Sequence, residues 1–240
     1  MFTIYIVLSV FPALLLLWYF YRKDKNQPEP KNAILKVFFL GMFLLVPDLL
    51  LEVSTGYLLF GRPTFDWGSG PVTVANAFLV GFVQAALIEE SMKMILMIVL
   101  VYQMKEFNER ADGIVYTVVL GLGFASIENL TYVAGGGVLI GLLRAFTAVP
   151  MHAVASALMG YFIGTAKFAA PAQRPVLFIT GWIIAVVFHG VYNTFAFMQN
   201  IYSFFIVVIV GGGLIISVKL LNALVAKDKT DLFATDSLKQ

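Results

Sequence analysis

The chain has 240 residues, of which 60% are hydrophobic types and only 12% are charged, against about 25% charged in a soluble domain. So few charges cannot clothe a globule of this size in water; a mean hydropathy of +0.89 agrees that the surface belongs in lipid, with no room for a sizeable soluble domain. The net charge of +2 suggests no nucleic-acid partner, and the absence of cysteine excludes disulfides, thiolate catalysis and cysteine-type zinc sites.

The first apolar stretch, Met1 to Tyr21, has no basic residues before it and no small-residue cleavage site after it. Arg22, Lys23 and Lys25 follow, so it reads as a transmembrane helix and not as a removed signal. Six further spans follow. The seven run over 2–21, 33–53, 72–103, 112–134, 138–166, 176–198 and 202–226, separated by polar or Gly/Pro-rich breaks. The expected fold is therefore all-α: one polytopic transmembrane helix bundle over 1–226, followed by a frayed polar cytoplasmic tail over 227–240. Lys and Arg gather on alternate connections. Arg22, Lys23, Lys25, Lys31 and Lys36 flank the first, Lys105 and Arg110 the third, Lys167 and Arg174 the fifth, and four lysines the C-terminal end, whereas the opposite side holds only Arg62. Positive residues stay inside, which places the N-terminus out and the C-terminus in.

Several spans carry residues that lipid does not tolerate. In the second, Asp48 and Glu52 are spaced i,i+4 after Pro47, in the outer part, and placement at the membrane interface accounts for them. The third holds Glu89, Glu90 and Lys93 as EExxK. Glu89 and Lys93 are in the favourable order for an i,i+4 ion pair, leaving Glu90, about 100° around the helix, free for another role. One lysine cannot neutralise two glutamates, and a carboxyl left over has the character wanted in a general base. A buried salt bridge that only fixes packing is the plainer reading. The fourth span carries Glu128 and Asn129 behind the small residues Gly121, Gly123, Ala125 and Ser126, which permit close helix approach; Asn129 alone fits an interhelical hydrogen bond. In the fifth, Arg144 and His152 lie two turns apart with Pro150 between them, and Arg144 fits a pair with a bundle carboxylate better than direct chemistry. The sixth holds His189 and Asn193 on one face.

A charge at the bilayer centre costs about 2.5–3.5 kcal/mol, so Glu89, Glu90, Lys93, Glu128 and Arg144 left unpaired would cost on the order of 15 kcal/mol, as much as a whole domain's stability. These groups must meet inside the bundle. Counted from the cytoplasmic ends, Glu90, Glu128, His152 and His189 each lie about 13–16 residues, roughly 20–24 Å, into their helices. Four helices thus bring carboxylates and imidazoles to one level, toward the outer leaflet.

Taken in order, EExxK at Glu89 to Lys93, FxxxEN at Phe124 to Asn129, the span histidine His152 and HGxYN at His189 to Asn193 resemble the PrsW family of intramembrane proteases, over roughly residues 75–200. The CAAX-type prenyl endopeptidases are more distant; Lys93 stands where they carry a later arginine. The resemblance implies a multi-pass protein of the bacterial cytoplasmic membrane that cuts a membrane-anchored protein. The family's substrates are anti-sigma factors, cut near the outer face as the first step of a cascade. Two mechanisms stay open. In one, Glu128, His152 and His189 bind a zinc ion and Glu89 or Glu90 takes the proton of its water. In the other no metal is present; Glu89 or Glu90 with His152 activates water, and His189 with Asn193 steadies the oxyanion. Lys93, Asn129 and Arg144 are supporting groups in both. Two further classes compete: a proton- or ion-coupled transporter using the same Glu/His cluster, which predicts polar residues toward both faces, and a non-enzymatic scaffold.

Overall fold

The computed structural model describes residues 2–23, 27–63, 73–198 and 201–237. Its elements are helices α1 (Phe2–Lys23), α2 (Lys31–Phe43), α3 (Leu45–Phe60), α4 (Val74–Phe78), α5 (Leu87–Leu96), α6 (Arg110–Phe146), α7 (Ala148–Lys167), α8 (Arg174–Met198) and α9 (Phe205–Ser237). No strand occurs among the described residues, and the all-α expectation holds. Residues Leu79–Ala86 and Met97–Val101 form wide π-helical turns on either side of α5, so 74–101 is one helical rod. Such wide turns gather at functional sites, and here they bracket the two glutamates.

Among the described residues, five stretches are long and apolar enough to cross a membrane: Thr3–Lys23, Lys31–Phe60, Ala111–Lys167, Pro171–Met198 and Phe205–Leu232. The third doubles back on itself. Gly137, at φ 79° and ψ −177°, turns the chain in a conformation that a Cβ would strain. Beyond it residues 138–167 run antiparallel to 110–136: Gly141 packs on Val133, Arg144 reaches Glu128 and Asn129, His152 reaches Glu128, and Gly160 lies on Gly113. The corner lies within the glycine run 135–137, at the break expected between the fourth and fifth spans. Pro150 sits in the first turn of α7, where its missing N–H costs no helical bond, and the break before it is at Thr147.

The first part of α6 is the axis of the bundle. Every residue from Ala111 to Ser126 is buried, and α1, α2 and α7 pack around it. A helix apolar all round belongs in the middle. Its glycines let the backbones touch: a Cβ on Gly113 would lie 2.4 Å from the Gly160 carbonyl oxygen, and one on Gly123 would lie 2.1 Å from that of Phe38. Large apolar side chains such as Leu58, Phe43 and Phe146 point outward, as a lipid-facing surface requires.

The connections that carry the basic residues are tied to one another. Asp112 accepts from the amides of Asn108 and Glu109 and caps α6. Lys167 donates to the Tyr102 carbonyl at 2.7 Å, and Tyr116 donates to the Glu29 carboxyl, which burial pushes above its ordinary pKa. The segment from 227 onward corrects an expectation. It is no frayed tail but continues α9 as helix to Ser237. Asp228 is buried, accepts from the Ala111 amide at 2.9 Å and pairs with Arg110 at 2.9 Å; Asp231 joins Arg110 at 2.6 Å. The open amides at the start of α6 attract a carboxylate, and that docking orders residues whose own polarity suggests a loose end.

Candidate active site

Helix α5 presents Glu89, Glu90 and Lys93 from one turn toward α6, α7 and α8. All three are buried, Glu90 wholly so. The Lys93 ammonium donates to Glu90 Oε1 at 2.8 Å, to Glu89 Oε2 at 3.2 Å and to His152 Nδ1 at 3.2 Å, and it lies 4.6 Å from the centre of the Phe124 ring. The expected i,i+4 pair with Glu89 forms, but the shorter contact is with Glu90, which the spacing leaves free. Residues three apart on a helix are also neighbours, and Glu90 is held in place by His189, whose Nδ1 lies 2.9 Å from the same Oε1.

These contacts set both imidazole tautomers. An ammonium only donates, so His152 Nδ1 accepts and the ring proton sits on Nε2. That proton points to Glu128 Oε2 at 2.9 Å. For His189, Nδ1–H donates to the Glu90 carboxylate, which leaves the Nε2 lone pair open, 3.9 Å from Glu89 Oε1. Both rings therefore turn an unprotonated nitrogen toward the glutamates, with ring centres 5.0 Å apart.

Glu128 takes a different place from the one expected. It stands behind His152 as the acceptor of its outer proton, and Arg144 pairs with it at 2.7 Å. Arg144 in turn donates to Asn129 Oδ1 at 3.1 Å and covers the Tyr132 ring, while Asn129 Nδ2 bonds the Leu8 carbonyl of α1. The four residues whose ligand atoms converge, all within 4.8 Å of one another, are Glu89, Glu90, His152 and His189.

Two buried carboxylates and two imidazoles are a donor set suited to a divalent metal. Glu90 Oε2, buried with no hydrogen-bond partner among the described residues, is an orphaned acceptor that such an ion would satisfy. The residues present fit a metal. Glu128→Gln is expected to weaken metal binding about 10–100-fold, the usual effect of removing the group that orients a ligating histidine. A competition titration against a chromophoric chelator measures it; unchanged affinity would remove Glu128 from that role.

A cavity of about 880 Å³ opens beside the cluster. Glu89, His152, His189 and Asn193 line it, whereas Glu90 lies behind the wall. Asp48 and Glu52, expected at the membrane interface, line it too, from α3. The spacing that puts them on one face was legible; the rotation of α3 that aims this face inward was not. The Tyr192 hydroxyl, the tyrosine of HGxYN, donates to Thr147 Oγ1 at 3.1 Å at the α6–α7 break, a contact that the motif alone does not predict.

The family model for the PrsW family intramembrane metalloprotease matches residues 29–218. The chain belongs to this family. Among its relatives, Protease PrsW of Bacillus subtilis (strain 168) is 34% identical over 185 residues, 77% of this chain and 79% of that protein. The Geobacillus kaustophilus (strain HTA426) Protease PrsW is 35% identical over 185 residues, covering 77% of this chain and 76% of its own. That of Clostridioides difficile (strain 630) is 33% identical over 193 residues, covering 78% and 76%. No solved structure matches. As a PrsW-family member with several membrane-length apolar helices, the chain is a multi-pass intramembrane protease, and the transporter and scaffold readings give way. All the site residues described lie within the matched range.

Proposed function

We propose that this chain cuts a single-pass, membrane-anchored protein of the anti-sigma-factor class near the outer face of the bacterial cytoplasmic membrane, with seven spans, its N-terminus outside and its C-terminus inside. The observation that carries the chemistry is the convergence of Glu89, Glu90, His152 and His189 at the wall of the 880 Å³ cavity. The gathering of the basic connections around Arg110, Lys167 and Asp228 supports the orientation.

Glu90, His152 and His189 would hold a zinc ion. Once bound, the ion supplies a Lewis acid and makes water more acidic. Glu89 is the general base. It shares the Lys93 ammonium with Glu90, but it alone of the pair faces the cavity, where water and substrate meet. Glu89 takes a proton from the attacking water and passes it to the leaving amide nitrogen as the C–N bond breaks; the acid and amine formed then exchange the second water proton, so the products are a carboxylate and an ammonium. Asn193, on the cavity wall, would donate to the oxygen that gains charge. Lys93 keeps the two glutamates together in a medium where unpaired charge is costly.

Elemental analysis of detergent-purified protein tests this, run alongside cleavage of a single-pass reporter. Near-stoichiometric zinc is expected in the wild type, lost together with cleavage in the His152→Ala, His189→Ala double variant. Undiminished cleavage by metal-free, folded protein would leave the glutamate–histidine route in its place.

A further inference from the structure

Asp48 and Glu52 are two carboxyl groups that the hydrolytic chemistry does not use. They are spaced i,i+4 on α3 and face the same cavity as Glu89. Asp48 is 2% exposed, and its Oδ1 has no hydrogen-bond partner among the described residues. Among the described residues neither carboxyl makes an ion pair with a lysine or arginine. The two cations nearby are committed elsewhere: Lys93 to Glu89 and Glu90, Arg144 to Glu128. The backbone of α3 is held at this point, because Gln84 Nε2 bonds the Glu52 carbonyl at 3.0 Å and the Pro63 carbonyl at 3.1 Å. The backbone of α3 is thus anchored at the residue that carries the second carboxyl.

Five carboxyl groups, Asp48, Glu52, Glu89, Glu90 and Glu128, stand in or behind the wall against two cations, Lys93 and Arg144. A divalent ion at the cluster would pair with the carboxylates that hold it, and Asp48 and Glu52 would still lack a partner. Asp48 and Glu52 lie outside the group whose atoms converge on a common point, so they do not share that ion. They remain within electrostatic reach of Glu89. A cationic side chain long enough to cross the cavity would pair with these two carboxyls, which otherwise have no cationic partner among the described residues.

We infer that Asp48 and Glu52 form a specificity subsite that receives one lysine or arginine side chain of the protein substrate, close to the bond that is cut. The inference rests on the proteolytic function proposed above. The long aliphatic stem of such a side chain suits the apolar cavity, whose wall includes Leu45, Leu49 and Ile206, and its charged head meets both carboxylates. A substrate without that charge leaves Asp48 buried and unpaired, which is the stronger source of discrimination.

The test uses the full-length protein in detergent and a set of single-pass reporters. In each, one residue flanking the scissile bond is lysine, arginine or glutamine, moved through the flanking positions in turn. At one position the wild type is expected to cleave the lysine or arginine reporter about tenfold or more faster than the glutamine one. In the Asp48→Asn, Glu52→Gln double variant that ratio should fall to about one, with the metal content of the wild type retained. Equal rates in the wild type at every position, or a double variant that slows all reporters alike, overturn the subsite and leave the protease intact. Binding separates the other case. With the Glu90→Gln variant as a non-cleaving trap, crosslinking of the lysine reporter should exceed that of glutamine by the same factor. If that preference is seen while the wild type cleaves nothing, the subsite stands and the proteolytic reading falls.

Discussion

Glu90→Gln is expected to lower the rate of peptide cleavage by about a thousandfold or more. The substitution keeps the shape of the side chain and removes one negative charge at a position with no access to water. Glu90 Oε1 accepts from both Lys93 and His189, so the change strikes two contacts at once. The buried ammonium keeps only Glu89, and Glu89, drawn into the full pairing, becomes a poorer base. The glutamine Oε1 can still accept from His189, but as a neutral amide it fixes the Nδ1 proton more weakly, and its NH2 group puts donors where Glu90 Oε2 had offered an acceptor to a cation. Loss of a general base costs about 10²–10⁴ in rate, and loss of the ligand set adds to it. Breaking a buried pair also costs about 3–5 kcal/mol when one partner is left alone; here Glu89 remains, so the loss of stability should be smaller. Cleavage, bound metal and the thermal midpoint should be measured on one preparation. Activity should fall far beyond the loss of folded protein. A variant that retains a tenth of the wild-type rate would show that Glu90 only braces the helix.

Gly113→Ala should be among the most destabilising single changes, at about 3 kcal/mol or more. A methyl group there would lie 2.4 Å from the Gly160 carbonyl oxygen and 2.4 Å from the Gly164 Cα. Both are backbone atoms, so no side chain can turn aside and α6 and α7 must move apart. Gly164 is bound in the same way, with the Arg110 carbonyl 2.0 Å from its notional Cβ. Gly211→Ala is the control: nothing lies within 4 Å of that position, and the helix should gain up to about 1 kcal/mol from the better helix former. Unfolding in detergent, followed for both variants, checks the contrast. Because the seam that Gly113 opens also sets the register of Glu128 against His152, metal affinity in Gly113→Ala should fall with stability; a wild-type affinity in the folded fraction would uncouple the two.

Much of the candidate site could be read before any coordinates. Glu89, Glu90, Lys93, Glu128, His152 and His189 stand out because each is a polar group in an apolar span, and the expense of leaving it alone guarantees a partner. That expense does not say which partner. Lys93 was paired with Glu89 by spacing, yet it lies nearer Glu90, since His189 on α8 draws that carboxyl into place. Glu128 looked like a third ligand, by the habit of two histidines and one carboxylate. It stands behind His152 because Arg144 holds it beside Nε2, while Lys93 occupies the Nδ1 side.

The sequence by itself determined that this protein is an all-helical membrane bundle, and which polar side chains it must bury. Hydropathy and charge placement act locally, span by span, and the cost of lipid-exposed charge admits few exceptions. The tertiary structure alone decided how each helix is turned about its axis. That turn aimed Asp48 and Glu52 into the cavity, left Glu89 and not Glu90 at its wall, and brought Asp228 onto the start of α6. Those outcomes depend on contacts between residues far apart in the chain, through glycine seams and buried ion pairs whose geometry no single segment contains.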